Sequence, residues 1–209
     1  MKEFDNTTIF LIDDDSSVRK AISLLLGSEG YEVETFESAE SFLSRKRYFG
    51  IGCIVLDIKM KDMSGLELQE ELIKKHIDLP IVFITGHGDI PTSVRVMKKG
   101  AYDFLSKPFQ DKDFLEAIEG AITKNVGNIN RFKEKEKVLE EMMTLTEREK
   151  DILKYIIAGF MNKQISFKLD IAEQTVKIHR GHIMKKLGVD SIAELVRKAE
   201  VAEIIPEKR

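Results

Sequence analysis

Short apolar and β-branched runs alternate with helical patterns over residues 7–123. "TIFLI", "YEVETF", "CIVLD", "IVFIT" and "YDFLS" each read as a strand, and each is followed by a stretch whose apolar residues recur every three to four positions. Val18, Ile22, Leu25 and Leu26 give the first helix one apolar face, and Leu66, Leu68, Leu72 and Ile73 do the same for the third. Ser16, Ser38 and Ser64 are candidate N-caps, and Gly27, Gly30 and Gly100 candidate stops. Strands that are apolar throughout predict burial on both faces, hence a parallel five-stranded sheet, doubly wound between two helix layers. In such an α/β sheet the ligand site lies outside the carboxyl ends of the strands.

From residue 125 the pattern changes. "NVGNINRFKEKEKVLEEMM", residues 125–143, is charged and poor in aromatics, with Ile129, Phe132, Val138, Leu139 and Met142 at loosely helical spacing. It predicts a largely helical linker, although Gly127 argues against unbroken continuity. Beyond Thr144 the strand pattern vanishes, and short helices separated by "AGFMN", "LDIAE" and "LGVDS" follow. The expected organisation is an α/β domain over residues 1–124, the linker over 125–143 and an all-α domain over 144–209. Ile152, Leu153, Ile156, Ile165, Leu169, Ile171, Val176, Ile183 and Leu187 supply the core of the last.

Composition changes this picture in three places. No apolar run approaches the ~18 residues of a membrane span, and "MKEFDNTTIF" lacks a signal-peptide core, so a cytoplasmic protein without a membrane partner is expected. The one cysteine, Cys53, excludes an internal disulfide and a cysteine-based zinc site, and reads as a small buried hydrophobe. The net charge of −3 is uneven: residues 142–209 hold 13 Lys and Arg against 10 Asp and Glu, and residues 1–141 hold 20 against 26. Lys163, Lys168, Lys177, Arg180, Lys185 and Lys186 crowd residues 162–186, a basicity that permits nucleic-acid binding.

The polar residues at the strand ends form one set: Asp13, Asp14 and Asp15 after the first strand, Asp57 after the third, Thr85 after the fourth and Lys107 after the fifth. Clustered carboxylates repel unless a hard cation joins them, and Mg²⁺ (or Mn²⁺) favours one or two carboxylates with water and phosphate oxygens. A carboxylate beside such an ion can attack phosphorus and form an aspartyl phosphate, with Lys107 and Thr85 on the phosphoryl oxygens. Taken singly, the acids could be caps, Thr85 a turn residue and Lys107 a surface charge.

Together, "IDDD", "LDIKM", "FITGHGD" and "SKPF" resemble the receiver domain of response regulators, a flavodoxin-like fold, over residues 7–123. The resemblance implies Asp57 as phosphoacceptor, Asp13 and Asp14 as the acid pair at the metal, and the Lys59 main-chain carbonyl as a further ligand. It also implies Thr85 as the switch hydroxyl, Lys107 as the phosphoryl-facing lysine and Phe104 as the aromatic whose position follows Thr85. Asp15 is left as a residue at the start of the helix. In "DIKMKDMSG" Lys61 stands where the family usually has proline, which relaxes the loop by a fraction of ~1 kcal/mol.

Between Ile165 and Val176 the short "LDIAE" turn has helix-turn-helix spacing. The second helix, residues 172–187, presents Gln174, Lys177, Ile178, Arg180 and Gly181 on surfaces the core does not need. Such a helix can enter the major groove, where Arg or Lys reads guanine and Gln adenine; a solvated basic helix in a bundle is the alternative. "LTERE", "AGFMNKQI" and "TVKIHRGHIMKKLGV" resemble the four-helix LuxR-type helix-turn-helix over residues 144–202. That resemblance puts Lys177 and Ile178 at base-facing positions and Thr175 at a phosphate-facing one. Gly181 departs from relatives with lysine there, and Arg180 and Lys185 complete the expected DNA-contacting set. His179 and His182, three apart on one helix, could form a metal pair, but the sequence offers no acid or cysteine set near them, which favours a core or phosphate role.

Both halves together resemble the NarL/FixJ response regulators, the receiver being most similar to the FixJ branch. The resemblance implies a transcription factor rather than an enzyme, phosphorylated by a sensor histidine kinase, dimerising through residues 90–105, binding promoter DNA and acting on RNA polymerase. Two alternatives stand beside it. D-x-D-x-S from Asp13 to Ser17 is close to the loop of haloacid-dehalogenase-like phosphatases, a Mg²⁺-dependent aspartyl-phosphate chemistry that would leave Asp57 unused. A phosphate-independent DNA binder is the other.

Overall fold

A computed structural model of the chain describes residues 7–86 and 90–208. His87, Gly88 and Asp89 of the "FITGHGD" motif lie outside the described residues. The chain forms two compact units, residues 1–129 and 130–209.

In the first unit five strands, β1 (Thr7–Ile12), β2 (Glu32–Phe36), β3 (Ile51–Asp57), β4 (Ile81–Thr85) and β5 (Asp103–Ser106), alternate with helices α1 (Ser16–Ser28), α2 (Ala39–Leu43), α3 (Gly65–Lys74) and α4 (Ile90–Lys98), and α5 (Asp111–Met143) follows β5. The sheet is parallel in the order β2-β1-β3-β4-β5. One face packs Ile9, Leu11, Val55, Val82 and Ile84 against Ile22 and Leu26 of α1 and Phe114, Ile118 and Ile122 of α5. The other packs Phe10, Ile12, Leu56 and Phe83 against Leu68 and Leu72 of α3 and Val96 of α4. The burial on both faces expected of continuously apolar strands holds for β1, β3 and β4 but not for the two edge strands: β2 exposes Glu32, Glu34 and Thr35, and β5 is half-buried with Ser106 exposed. An edge strand with charged side chains discourages pairing with another chain. Ile73, expected on the apolar face of α3, is 53% exposed.

The helix starts follow local hydrogen bonding. Ser38 and Ser64 cap α2 and α3 reciprocally with Ser41 and Glu67. Ser16 is not the cap of α1: Asp15 holds that position, its Oδ1 accepting from the Ser17 and Val18 amides at 2.8 and 3.4 Å. Those amides lower the Asp15 carboxyl below its ordinary range. Gly30, at φ 85°, takes the left-handed turn after α1, and Gly27 stays inside the helix.

Helix α5 continues through Gly127 as far as Met143, supplying Phe114 and Ile118 to the first unit's core and Val138 and Met142 to the second's. The second unit adds α6 (Glu147–Ile157), α7 (Asn162–Leu169), α8 (Glu173–Lys186) and α9 (Ile192–Val201). Ile152, Leu153, Ile156, Ile165, Val176, Ile183 and Leu187 are buried together, with Leu169 and Ile171 packed against them. Asp170, at φ 50°, ends α7 in the left-handed region, and the chain turns within three residues into α8.

A polar clamp joins α6 to α8. Glu149, 3% exposed, takes three donors on one carboxylate oxygen: the Thr146 amide (2.8 Å), the Thr146 hydroxyl (3.0 Å) and Lys186 Nζ (2.6 Å). Burial alone would raise its pKa, but these donors outweigh it and hold the carboxyl down to about 2. A carboxylate depressed on folding stabilises the fold above its unfolded pKa and loses that contribution as pH falls through the folded value. Glu149→Gln is therefore expected to remove about 2 kcal/mol from the second unit at pH 7, after discounting for the half-exposed lysine. Its stability should then vary less than the parent's between pH 4.5 and 2, as urea unfolding at several pH values will read; equal unfolding curves would deny the clamp this role.

Candidate functional site

The parallel order sets the chemistry at one edge. β1 and β3 are neighbours with Ile12 opposite Leu56, so Asp13 and Asp57 emerge side by side at their carboxyl ends. β4 lies on the far side of β3, and β5 beyond it pairs Ser106 with Thr85. Lys107 directly follows, its amide donating to the Thr85 carbonyl at 2.7 Å and its bond to Pro108 cis.

Lys107 Nζ donates to Asp13 Oδ2 at 2.7 Å and to Asp57 Oδ1 at 2.9 Å, linking residues 94 and 50 positions away. The acid side chains are 2% and 8% exposed, and that of the lysine 22%. Each carboxylate has a further anchor among the described residues: Asp13 Oδ1 accepts the Asp15 amide at 2.8 Å, and Asp57 Oδ2 the Lys59 amide at 2.7 Å. Arg19 holds the Asp13 carbonyl at 2.6 Å. Burial pushes the Asp57 carboxyl up, Lys107 opposes this and the nearby Asp13 charge adds to it. Burial would lower Lys107, but the two carboxylates raise it above its ordinary value.

Two buried acids sharing one ammonium leave a surplus negative charge on hard oxygen donors, which suits Mg²⁺ or Mn²⁺. Asp14 is half-buried beside Asp13, and Lys59 is exposed in the loop after β3. Thr85 is fully buried, and Phe104, half-buried, pairs in register with Phe83 on β4. One residue type in the loop is dictated by close approach. A Cβ on Gly65 would lie 2.3 Å from the Asp57 carbonyl oxygen, so α3 can start against the site only with glycine there. Lys61 precedes Asp62, which sits at φ 63° in the left-handed region.

On α8 of the second unit, Lys177 and Lys185 are exposed, Ile178 is 49% exposed, and Thr175 and Arg180 are half-buried. Burial lowers the Arg180 guanidinium from its ordinary value. Lys186, read from sequence with the basic stretch, is instead tied to Glu149 and the Thr144 carbonyl. Sequence reasoning also missed Glu149, which the T-x-x-E spacing from Thr146 could have indicated, and Arg148, which donates to the Leu169 carbonyl at 2.8 Å across the helix turn.

Comparisons with known proteins match both units. The family of the response regulator receiver domain matches residues 9–119, more than half the chain, and that of the bacterial regulatory proteins of the luxR family matches residues 143–199. Response regulator protein TmoT of Ectopseudomonas mendocina is 42% identical over 200 residues, covering 93% of this chain and 88% of that protein. Transcriptional regulatory protein FixJ of Rhizobium meliloti is 40% identical over 192 residues, covering 92% and 94%. Among solved structures, response regulator StyR is 47% identical with a TM-score of 0.81, covering 94% of this chain and 99% of that one. Full-length FixJ from B. japonicum is 35% identical with a TM-score of 0.58, covering 96% and 98%. With a flavodoxin-like receiver ending in this acid and lysine cluster, a LuxR-type domain after it and relatives matched across nearly the whole chain, the protein belongs to the NarL/FixJ family of two-component response regulators, which regulate transcription.

Proposed function

We propose that phosphorylation of Asp57 by a sensor histidine kinase controls promoter binding by the second unit. The observation that carries this reading is the bridge from Lys107 to both Asp13 and Asp57 at the carboxyl edge of the sheet. An Asp57 oxygen attacks the phosphorus of a phosphohistidine, the O–P bond forming as the N–P bond breaks and the imidazole leaves with the electron pair. Lys107 then pairs with a phosphoryl oxygen and the Thr85 hydroxyl donates to another, so that transfer rests on positioning and charge neutralisation. Asp13, Asp14, Asp57 and the Lys59 carbonyl would hold Mg²⁺, or Mn²⁺, which would supply positive charge to offset that of the transferring group. No turnover of a substrate is part of this role.

The phosphoryl group carries about −1.5 to −2 charge where the ionised Asp57 carboxylate carried −1; it draws Thr85 toward it, and Phe104 follows into the space left. The output is a homodimer through α4 and β5. Ile90, Val94 and Met97, 81%, 45% and 42% exposed, give α4 an apolar face for it. Two paired second units then bind two half-sites far more tightly than one. Lys177 and Ile178 reach base edges, while Thr175, Arg180 and Lys185 hold phosphates, and the bound dimer acts on RNA polymerase. No described helix is long and apolar enough to cross a membrane, which supports action in the cytoplasm.

The test is labelling with acetyl phosphate and Mg²⁺ followed by peptide mapping. Label on the peptide containing Asp57, with tighter promoter binding, is expected. Label on Asp13 instead would favour the phosphatase-like alternative and overturn this reading.

A further inference from the structure

We infer a transition-metal site in the second unit, formed by Glu149 of α6 with His179 and His182 of α8. One ligand atom from each of the three side chains lies within 4.8 Å of the others. The histidines alone, three apart on α8, share a helix face without a third ligand. The fold supplies the acid from α6, 30 residues before His179 in the chain.

The hydrogen bonding of Glu149 leaves one of its oxygens for this purpose. All three donors, from Thr146 and Lys186, converge on Oε2. Oε1 faces α8, 4.0 Å from His182 Nδ1. An independent observation concerns His179: its Nδ1 is buried and has no hydrogen-bond partner among the described residues. Buried polar nitrogens are nearly always satisfied, so an imidazole with an orphaned nitrogen, in a side chain grouped with a second imidazole and a carboxylate, calls for a ligand that accepts its lone pair.

The donor set selects the ion. Two imidazoles and a carboxylate with room for water suit Zn²⁺, or Cu²⁺ and Ni²⁺, whereas Mg²⁺ prefers all-oxygen shells. Metal–ligand bonds of 2.0–2.2 Å set tetrahedral ligands about 3.4 Å apart. The gap from 4.8 Å closes by a side-chain rotation of His182, which is 61% exposed and also gives the ion its route in. The Lys186 ammonium opposes a cation at Oε1, so the affinity is moderate. Bound metal fastens α8 to α6 beside the clamp already made by Lys186, whether or not α8 enters DNA.

The experiment uses the full chain, stripped with EDTA and returned to excess Mg²⁺ so that the acid cluster of the first unit is satisfied. Zn²⁺ is then titrated while the imidazole NMR signals of the four histidines are followed. His179 and His182 should shift together, His76 and His87 should not, and the second unit should melt at higher temperature. His182→Ala, at an exposed position that does not endanger folding, should weaken Zn²⁺ binding by at least about tenfold, the loss that even indirect disturbance of a metal site produces. The double variant His76→Ala, His87→Ala should bind as the parent does. Shifts confined to His76 or His87, or a His182→Ala variant that binds Zn²⁺ as tightly as the parent, would overturn the assignment.

Discussion

Lys107→Met is expected to lower the stability of the first unit by about 3 kcal/mol in metal-free buffer and to abolish its labelling by phosphoryl donors. The substitution keeps most of the aliphatic length and removes only the ammonium, so packing changes little and the loss reports the charge. Asp13 and Asp57 are 2% and 8% exposed, and Lys107 is the cation hydrogen-bonded to both. Without it two buried carboxylates face each other, and the Asp57 carboxyl, already raised by burial, rises further as the opposing lysine is lost. Mg²⁺ should restore part of the stability, because a dication on the same oxygens offsets the same repulsion, but not the labelling, which needs the ammonium on the phosphoryl oxygens. Urea unfolding with and without Mg²⁺, beside an acetyl phosphate labelling assay, separates the two effects. Unchanged stability in metal-free buffer would mean that the cluster is solvated rather than held by Lys107.

The site's legibility in sequence follows from topology. Asp13, Asp57, Thr85 and Lys107 each end a strand or follow one, and a parallel sheet brings every carboxyl end to one edge, so four separate stretches could be joined without knowing a single distance. Interactions that depend on side-chain depth were not legible in this way. Asn125 reads as the polar start of a linker, yet it is 4% exposed and its Oδ1 accepts the Gly52 amide at 3.0 Å, 73 residues away. Lys186 reads as one more charge on a basic helix until the bundle places it 2.6 Å from a buried acid 37 residues earlier. The exposure of β2 was hidden for a related reason: its place at the sheet edge is set by strand order, which hydrophobic pattern does not specify. Asp15 reads as a residue at the start of the helix and lies there, but it is also the cap, which the sequence pattern puts one residue later, on Ser16.

Asp57→Asn should remove the label entirely and fix promoter affinity at the unphosphorylated level. In the parent, phosphorylation should tighten promoter binding by about 5- to 150-fold, the range of ordinary coupling between two sites, and the variant should show none of it. The fold itself should not be the reason. Asparagine keeps the size of the side chain and an oxygen that can accept the Lys59 amide, the bond Asp57 Oδ2 makes at 2.7 Å. It also removes one of two buried charges, leaving Lys107 matched to Asp13 alone at 2.7 Å, so the first unit should melt no lower than the parent. A lost response with retained stability therefore isolates the phosphoryl acceptor from its scaffold, which the Lys107 variant, losing both, cannot do. Promoter titrations with and without acetyl phosphate, together with thermal melts, decide among the readings. A parent whose promoter affinity ignores acetyl phosphate, and equals that of Asp57→Asn, would establish the phosphate-independent alternative. A variant that still labels would place the acceptor elsewhere in the acid cluster, with Asp13 the nearest candidate.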